Sequence, residues 1–350
     1  MFPTIDYLAF MVRWHGQVRY DLATSGIAPV SASELGAISL DMSVSRERFI
    51  QEIANHYGIP EQEVTPCLGT SGALFTAYAC VLDAGQRALI ETPGYEPLSR
   101  IAEALGRGVD YFERRVEHAF QIEIEPVIDA LKPDTRLVVI TNPHNPSGAL
   151  TPQSRIAELA LELEARGVFL LVDEVYLDAE QPGVTVRQLA PRVLTCSSAT
   201  KCWGVPWARA GWLLAPAEIS ALTGRVERCT LGQAPPSAWA IGVRVFEEKH
   251  ALRARAAALQ SGKRALIDAF VARQHTRLTW CAPSEHSAFG WLRDIRGRDL
   301  RPLLERGMLA HGVFAVPGEF FGDKTALRVG WTSDIAALGA GLPLLEQVLA

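Results

Sequence analysis

Short apolar runs alternate with amphipathic stretches along the first two-thirds of this chain. Near-continuous apolar, β-branched runs occupy residues 87–91, 137–141, 168–173 and 193–198. Weaker ones lie at 64–68, 109–113 and 208–215. Between them, apolar positions recur at helical spacing over 71–83, 97–105, 125–131, 152–166 and 217–225. Doubly apolar strands separated by helices predict an α/β fold: a mostly parallel, seven-stranded sheet with helices on both faces, a three-layer α-β-α arrangement. Ligands in such sheets bind beyond the carboxyl ends of the strands.

Residues 235–274 contain few helix breakers, and 251–272 are rich in Ala, Leu, Arg and Lys. That composition predicts one long linking helix. Short strands at 276–280, 290–293, 313–316 and 326–331, with helices at 300–306 and 336–349, then predict a smaller α+β domain. The first 40 residues are too few for a domain of their own and are assigned to it. The expected division is a large domain over 41–244 and a small one from 1–40 and 245–350.

Length and composition agree with this division. The chain has 350 residues, 48% hydrophobic and 21% charged, as in an ordinary two-domain enzyme. A net charge of −5 speaks against a general nucleic-acid binder. The basic strip at 253–264 reads as the wet face of a helix. Six cysteines show neither a CxxC pair nor a metal-ligand spacing, which predicts free thiols in a reducing cytoplasm and no metal site. No signal-peptide pattern and no apolar run of ~20 residues is present, so no membrane role is expected.

The chemistry gathers at three strand ends. Asn142-Pro143-His144-Asn145-Pro146-Ser147-Gly148 follows one run, Asp173-Glu174-Val175-Tyr176 ends a second, and Ser198-Ala199-Thr200-Lys201 ends a third, with Arg209 eight residues on. An amine, a carboxylate, an amide, a phenol, hydroxyls and a guanidinium together suit pyridoxal 5′-phosphate (PLP). That cofactor needs a lysine for covalent attachment and an acid to keep its ring nitrogen protonated, roles that Lys201 and Asp173 can fill. Arginine's planar fork suits the phosphate. The small-residue turn Gly69-Thr70-Ser71-Gly72 opens a helix whose N–H groups can meet an anion, although such turns are common. Tyr95, after the 87–91 run, can stack on a ring or simply pack. Cys202 reads as a small packing residue.

With these positions in place, residues 23–331 resemble the class I/II aminotransferases of PLP fold type I. The resemblance implies that Lys201 forms the Schiff base and shuttles the proton. It implies that Asp173 pairs with the pyridine nitrogen and that Asn145 and Tyr176 bond the ring's phenolic oxygen. Thr70, Ser71, Ser198 and Arg209 would hold the phosphate, with Tyr95 stacked on the ring. Arg328, in Ala326-Leu327-Arg328-Val329-Gly330, resembles the clamp for the substrate α-carboxylate. Gly26 resembles the glycine that lets substrate approach, and Asn145 also joins the substrate site. Relatives carry a tyrosine from the partner subunit in the segment equivalent to 40–50, where this chain has none and Ser45 stands in place of a glycine. Gln233-Ala234-Pro235-Pro236-Ser237 resembles a branch with unassigned aminotransferase-like proteins, capreomycidine-synthase-like cyclases and PLP-dependent arginine oxidases.

The expected function is ping-pong transamination of an amino acid to its 2-oxo acid, by a cytoplasmic homodimer. A lyase, cyclase or oxidase on the same frame is the alternative, because fold does not fix reaction. A non-enzymatic binding module has no use for an intact Lys201–Asp173–Arg328 set. A nicotinamide dehydrogenase lacks its G-x-G-x-x-G signal here.

Overall fold

The computed structural model describes residues 2–31, 33–35 and 45–350. Residues 40–44 of the segment lacking the partner-contacting tyrosine, and with them the 40/41 domain boundary, lie outside the described residues. Helix α1 (Asp6–Trp14) and strand β1 (Tyr20–Asp21) come first, then α2 (Ser45–Tyr57), β2 (Val64–Leu68) and α3 (Gly69–Val81). The alternating region continues with β3 (Arg87–Thr92), α4 (Pro97–Ala104), β4 (Gly108–Glu113), α5 (Ile124–Asp129), β5 (Thr135–Thr141), α6 (Gln153–Glu164), β6 (Phe169–Asp173) and α7 (Leu177–Glu180). It closes with β7 (Val193–Ser198), β8 (Ala210–Leu214) and α8 (Ala217–Thr230).

These strands form one seven-stranded sheet in the order β2-β8-β7-β6-β5-β3-β4. The five strands from β7 to β4 run parallel, and β8 runs antiparallel to both of its neighbours. Why the runs are apolar throughout is visible in β5. Leu137 and Val139 enter the cluster under α3 and α4, while Val138 and Ile140 enter the cluster under α6. Strand side chains alternate between faces, and here both faces are covered.

The long helix expected over 235–274 is corrected by the structure to three: α9 (Pro236–Glu247), α10 (Lys249–Gln260) and α11 (Lys263–Gln274). Ser261 leaves the helical region at ψ 130°, and Gly262 sits at φ +75°. A left-handed glycine just past a helix end is a strong stop, so good helix composition on either side could not carry one helix through.

The remaining elements are β9 (Leu278–Trp280), β10 (Phe289–Asp294), α12 (Arg301–His311), β11 (Val313–Phe314), β12 (Val316–Pro317), β13 (Ala326–Gly330) and α13 (Ile335–Leu349). An antiparallel sheet runs β12-β13-β10-β9. The strand expected over 313–316 is two: β11 pairs with β1, and after Ala315 the chain joins β13 as β12. Gly330 touches the segment after β1 so closely that a Cβ would lie 2.2 Å from the Thr24 carbonyl oxygen. This brings residues 22–26 from the chain's start alongside β13 and over the ends of β6 and β7. Among the described residues, no helix is long and apolar enough to cross a membrane.

Candidate active site

The carboxyl ends of β5, β6 and β7, the start of α3 and helix α1 surround a cavity of about 320 Å³. At one end lie Thr70, Ser71, Ser198 and Arg209. Thr70 donates to Ser198 Oγ at 3.0 Å. Helix α3 has no side-chain cap: its Gly69 N–H donates to the Arg209 carbonyl at 2.6 Å, and the Thr70 and Ser71 N–H groups that follow meet no side-chain acceptor among the described residues. Gly69 holds φ +68°, and a Cβ there would sit 2.4 Å from Arg209 Nη2. The guanidinium lies where only a glycine leaves room, directly over the helix start. This cradle of N–H donors, hydroxyls and one arginine fits an anion such as a phosphate.

At the other end is Asp173, the last residue of β6 and only 3% exposed. Its carboxylate accepts one bond, from Val175 N at 3.0 Å. Burial pushes its pKa up from 3.8 to about 7, and the nearby Glu91 carboxylate adds to the rise. The carboxylate therefore lacks a cationic partner, and a protonated ring nitrogen would supply one. Lys201 stands between the two ends, partly buried. Burial lowers its amine to about 8, with Arg328 as the next contributor. Among the described residues its Nζ reaches only Ser25 Oγ, at 3.5 Å. Arginine at one end, an unmatched acid at the other and a near-neutral amine between them fit PLP.

Tyr95 also lines the cavity and packs edge-on against Tyr7, with centroids 5.6 Å apart. Tyr176 bonds Ser25 Oγ at 2.8 Å, and burial raises its phenol above the ordinary range. Gly26 lies against the lysine stem, where a Cβ would be 3.1 Å from Lys201 Cδ. Arg328, on β13, is 0% exposed and stands behind the cavity wall rather than on it. Its Nη1 donates to Asn145 Oδ1 at 2.9 Å, and its Nη2 to Tyr7 Oη and to the Ala23 carbonyl, both at 2.9 Å. With its Oδ1 taken by Arg328, Asn145 has its Nδ2 donors left for the cavity it lines.

The structure thus gathers the sequence-predicted site residues in and around one cavity, with Gly26 against the Lys201 stem and Arg328 behind the wall. It adds Tyr7 and Ser25, for which the sequence carried no chemical signal. It also adds a buried support behind β5. Glu91 Oε1 accepts from Thr141 N at 2.7 Å, Arg114 Nη1 donates to Glu91 Oε2 at 2.8 Å, and Thr141 Oγ1 accepts from Asn145 N at 2.9 Å.

Comparison with known proteins agrees with this geometry. The family model described as aminotransferase class I and II matches residues 33–337. The chain is similar to capreomycidine synthase of Streptomyces vinaceus, 27% identical over 95% of this chain and 90% of that protein. It is similar to arginine–pyruvate transaminase of Pseudomonas aeruginosa, 26% identical over 78% of this chain and 71% of that one. Its fold is that of a PLP-dependent aminotransferase from Streptococcus suis, with a TM-score of 0.90 at 19% identity over 99% of this chain and 98% of that chain.

Proposed function

The chain belongs to the class I and II aminotransferases, and from that premise we propose that it converts an amino acid to its 2-oxo acid by ping-pong transamination. Its cofactor is PLP. PLP supplies an electron sink for the pair left when the substrate's Cα–H bond breaks. The chain's own residues do the rest. Arg209, Ser198, Thr70 and Ser71 bind the phosphate and set the cofactor's position. Asp173 holds a proton at the ring nitrogen. Asn145 and Tyr176 would donate to the ring oxygen, and Tyr95 would stack on the ring.

Lys201 Nζ takes the proton from Cα. An amine lowered to about 8 is a better-matched base near neutral pH than an ordinary lysine. Arg328, fixed by Asn145, anchors the α-carboxylate and thereby orients the Cα–H bond. The observation that carries the reading is Arg328. A fully buried guanidinium, aimed by the same asparagine that lines the cofactor cavity, is a group for an α-amino acid.

The rim supports a homodimer, since Leu8, Ser71 and Arg209 are exposed in the single chain beside the cavity. Six free cysteines, three of them buried, support a reducing cytoplasm.

A second reading, a PLP-dependent cyclase or lyase, is favoured by one finding. The capreomycidine synthase match spans more of this chain than the arginine–pyruvate transaminase match. The deciding experiment screens the twenty amino acids for conversion of bound PLP to its amine form. It then runs the best one with and without an oxo acid while following oxygen and ammonia. Acceptor-dependent turnover without oxygen use supports transamination. Turnover without an acceptor, with a cyclised product or released ammonia, moves the protein to the second reading.

A further inference from the structure

We propose that the Tyr7 hydroxyl is a substrate ligand, donating a hydrogen bond to the amino acid's α-carboxylate in front of Arg328, a placement that rests on the role proposed above for Arg328. Tyr7 comes from α1, more than 300 residues away in sequence, and two contacts fix it. Its backbone N–H donates to Glu96 Oε2 at 2.7 Å, and Glu96 Oε1 accepts from Arg100 Nε at 3.0 Å. Its ring meets Tyr95 edge-on. The residue is 5% exposed and lines the cavity.

The hydroxyl is only half used. It accepts from Arg328 Nη2 at 2.9 Å, yet among the described residues nothing accepts its own hydrogen. A phenol that accepts from a cation is polarised and becomes a stronger donor. Packing alone would be served as well by phenylalanine, so the hydroxyl has to be explained by what it bonds.

Arg328 has the complementary shortage. Three of its five N–H groups are committed to Asn145, Tyr7 and Ala23, and its Nε has no partner. It does not itself line the cavity. A carboxylate entering the site meets Tyr7 and Asn145 first. A grip shared between the guanidinium and the phenol uses donors that are otherwise idle.

The test compares holoenzyme of the parent, Tyr7→Phe and Arg328→Lys. Each is titrated with α-aminoisobutyrate, which has the amine and carboxylate but no Cα hydrogen, and with isopropylamine, the same skeleton without the carboxylate. Cofactor absorbance reports binding. Tyr7→Phe should keep its cofactor content and its affinity for isopropylamine, while its Kd for α-aminoisobutyrate rises about tenfold or more. Arg328→Lys should also weaken α-aminoisobutyrate selectively. An unchanged Kd in Tyr7→Phe, with Arg328→Lys weakened, overturns the role of Tyr7 and leaves that of Arg328 intact. Equal weakening of both probes reduces Tyr7 to packing and overturns it too. Tighter α-aminoisobutyrate binding overturns it by showing that Tyr7 competes with the carboxylate. If neither variant separates the two probes, the role of Arg328 fails and that of Tyr7 with it.

Discussion

Replacing Asp173 by asparagine should stabilise the cofactor-free protein while disabling the cofactor-loaded one. The carboxyl is buried, with one hydrogen bond and no cation in contact. Its pKa stands at about 7 in the folded chain against 3.8 when free. Between those values the folded protein keeps a proton that the unfolded chain has lost, so stability falls as pH rises. At about 1.4 kcal/mol per pH unit, the loss reaches about 4 kcal/mol by pH 8, of which about 1.5 kcal/mol is present at pH 5. The asparagine variant has no such slope. Glu174, a buried acid held by Thr185 and the Val186 N–H, titrates in both proteins and cancels in the difference. PLP is stripped from both, and denaturation midpoints are followed from pH 4 to 8. The variant should match the parent near pH 4 and exceed it by a growing margin above. Parallel pH curves would refute the claim that Asp173 is an unmatched buried charge. With PLP bound, the order should reverse in turnover, because a neutral amide cannot hold the ring proton.

Three further outcomes follow from the same geometry. Borohydride should fix PLP to a peptide containing Lys201, and label on any other lysine would contradict its placement. Gly69→Ala should keep the fold but lower PLP affinity by about tenfold or more, measured by equilibrium dialysis, because its Cβ would collide with Arg209 and strain a left-handed backbone. Covalent capture of PLP needs a neutral Lys201, whose pKa is lowered to about 8. The capture rate, read by stopped-flow absorbance, should therefore rise about tenfold per pH unit below 8 and level off above. In Asp173→Asn, which lacks the charge that helps keep the lysine protonated, the inflection should move to lower pH.

Strands β3, β5, β6 and β7 were legible because each is apolar on both faces, and doubly covered sheets leave that mark; the edge strand β4, with Tyr111 and Glu113 exposed, leaves a weaker one. The composition of 235–274 favours one helix, but Gly262 stops it between α10 and α11, and its left-handed backbone is invisible until placed. The break between α9 and α10 falls at Glu248 (φ −96°, ψ 10°), where no glycine or proline marks it in the sequence. Strands β11 and β12 were fused for a related reason, since two residues in each of two sheets cannot show a period. At the site, the cofactor-facing residues were legible as strand-end motifs with fixed spacing. Tyr7 and Ser25 were not, because what matters about them is contact with β13, Tyr176 and Lys201 across most of the chain. Asp173 and Glu174 differ only by the alternation of a strand. Asp173 turns to the cavity. Glu174 turns to Thr185 and the Val186 N–H, which occupy its carboxylate.

Burial displaces the two central groups in opposite directions, the acid upward and the amine downward, until they stand within about one pH unit of each other. Neither shift needs the other, since removal from water is the largest cause of both. Among the described residues, the chain alone matches neither group: Asp173 touches no cation, and the half-buried Lys201 amine makes one long hydrogen bond, to Ser25. The Arg209 cradle is a third such feature, with donors gathered over an uncapped helix start. Each is relieved by a different part of one molecule: a ring nitrogen for Asp173, an aldehyde for Lys201 and a phosphate for the cradle. A site that served only stability would have paired Asp173 within the protein, as Arg114 pairs with Glu91 behind β5. The same chain satisfies one buried acid and leaves another open, and the open one faces the cavity.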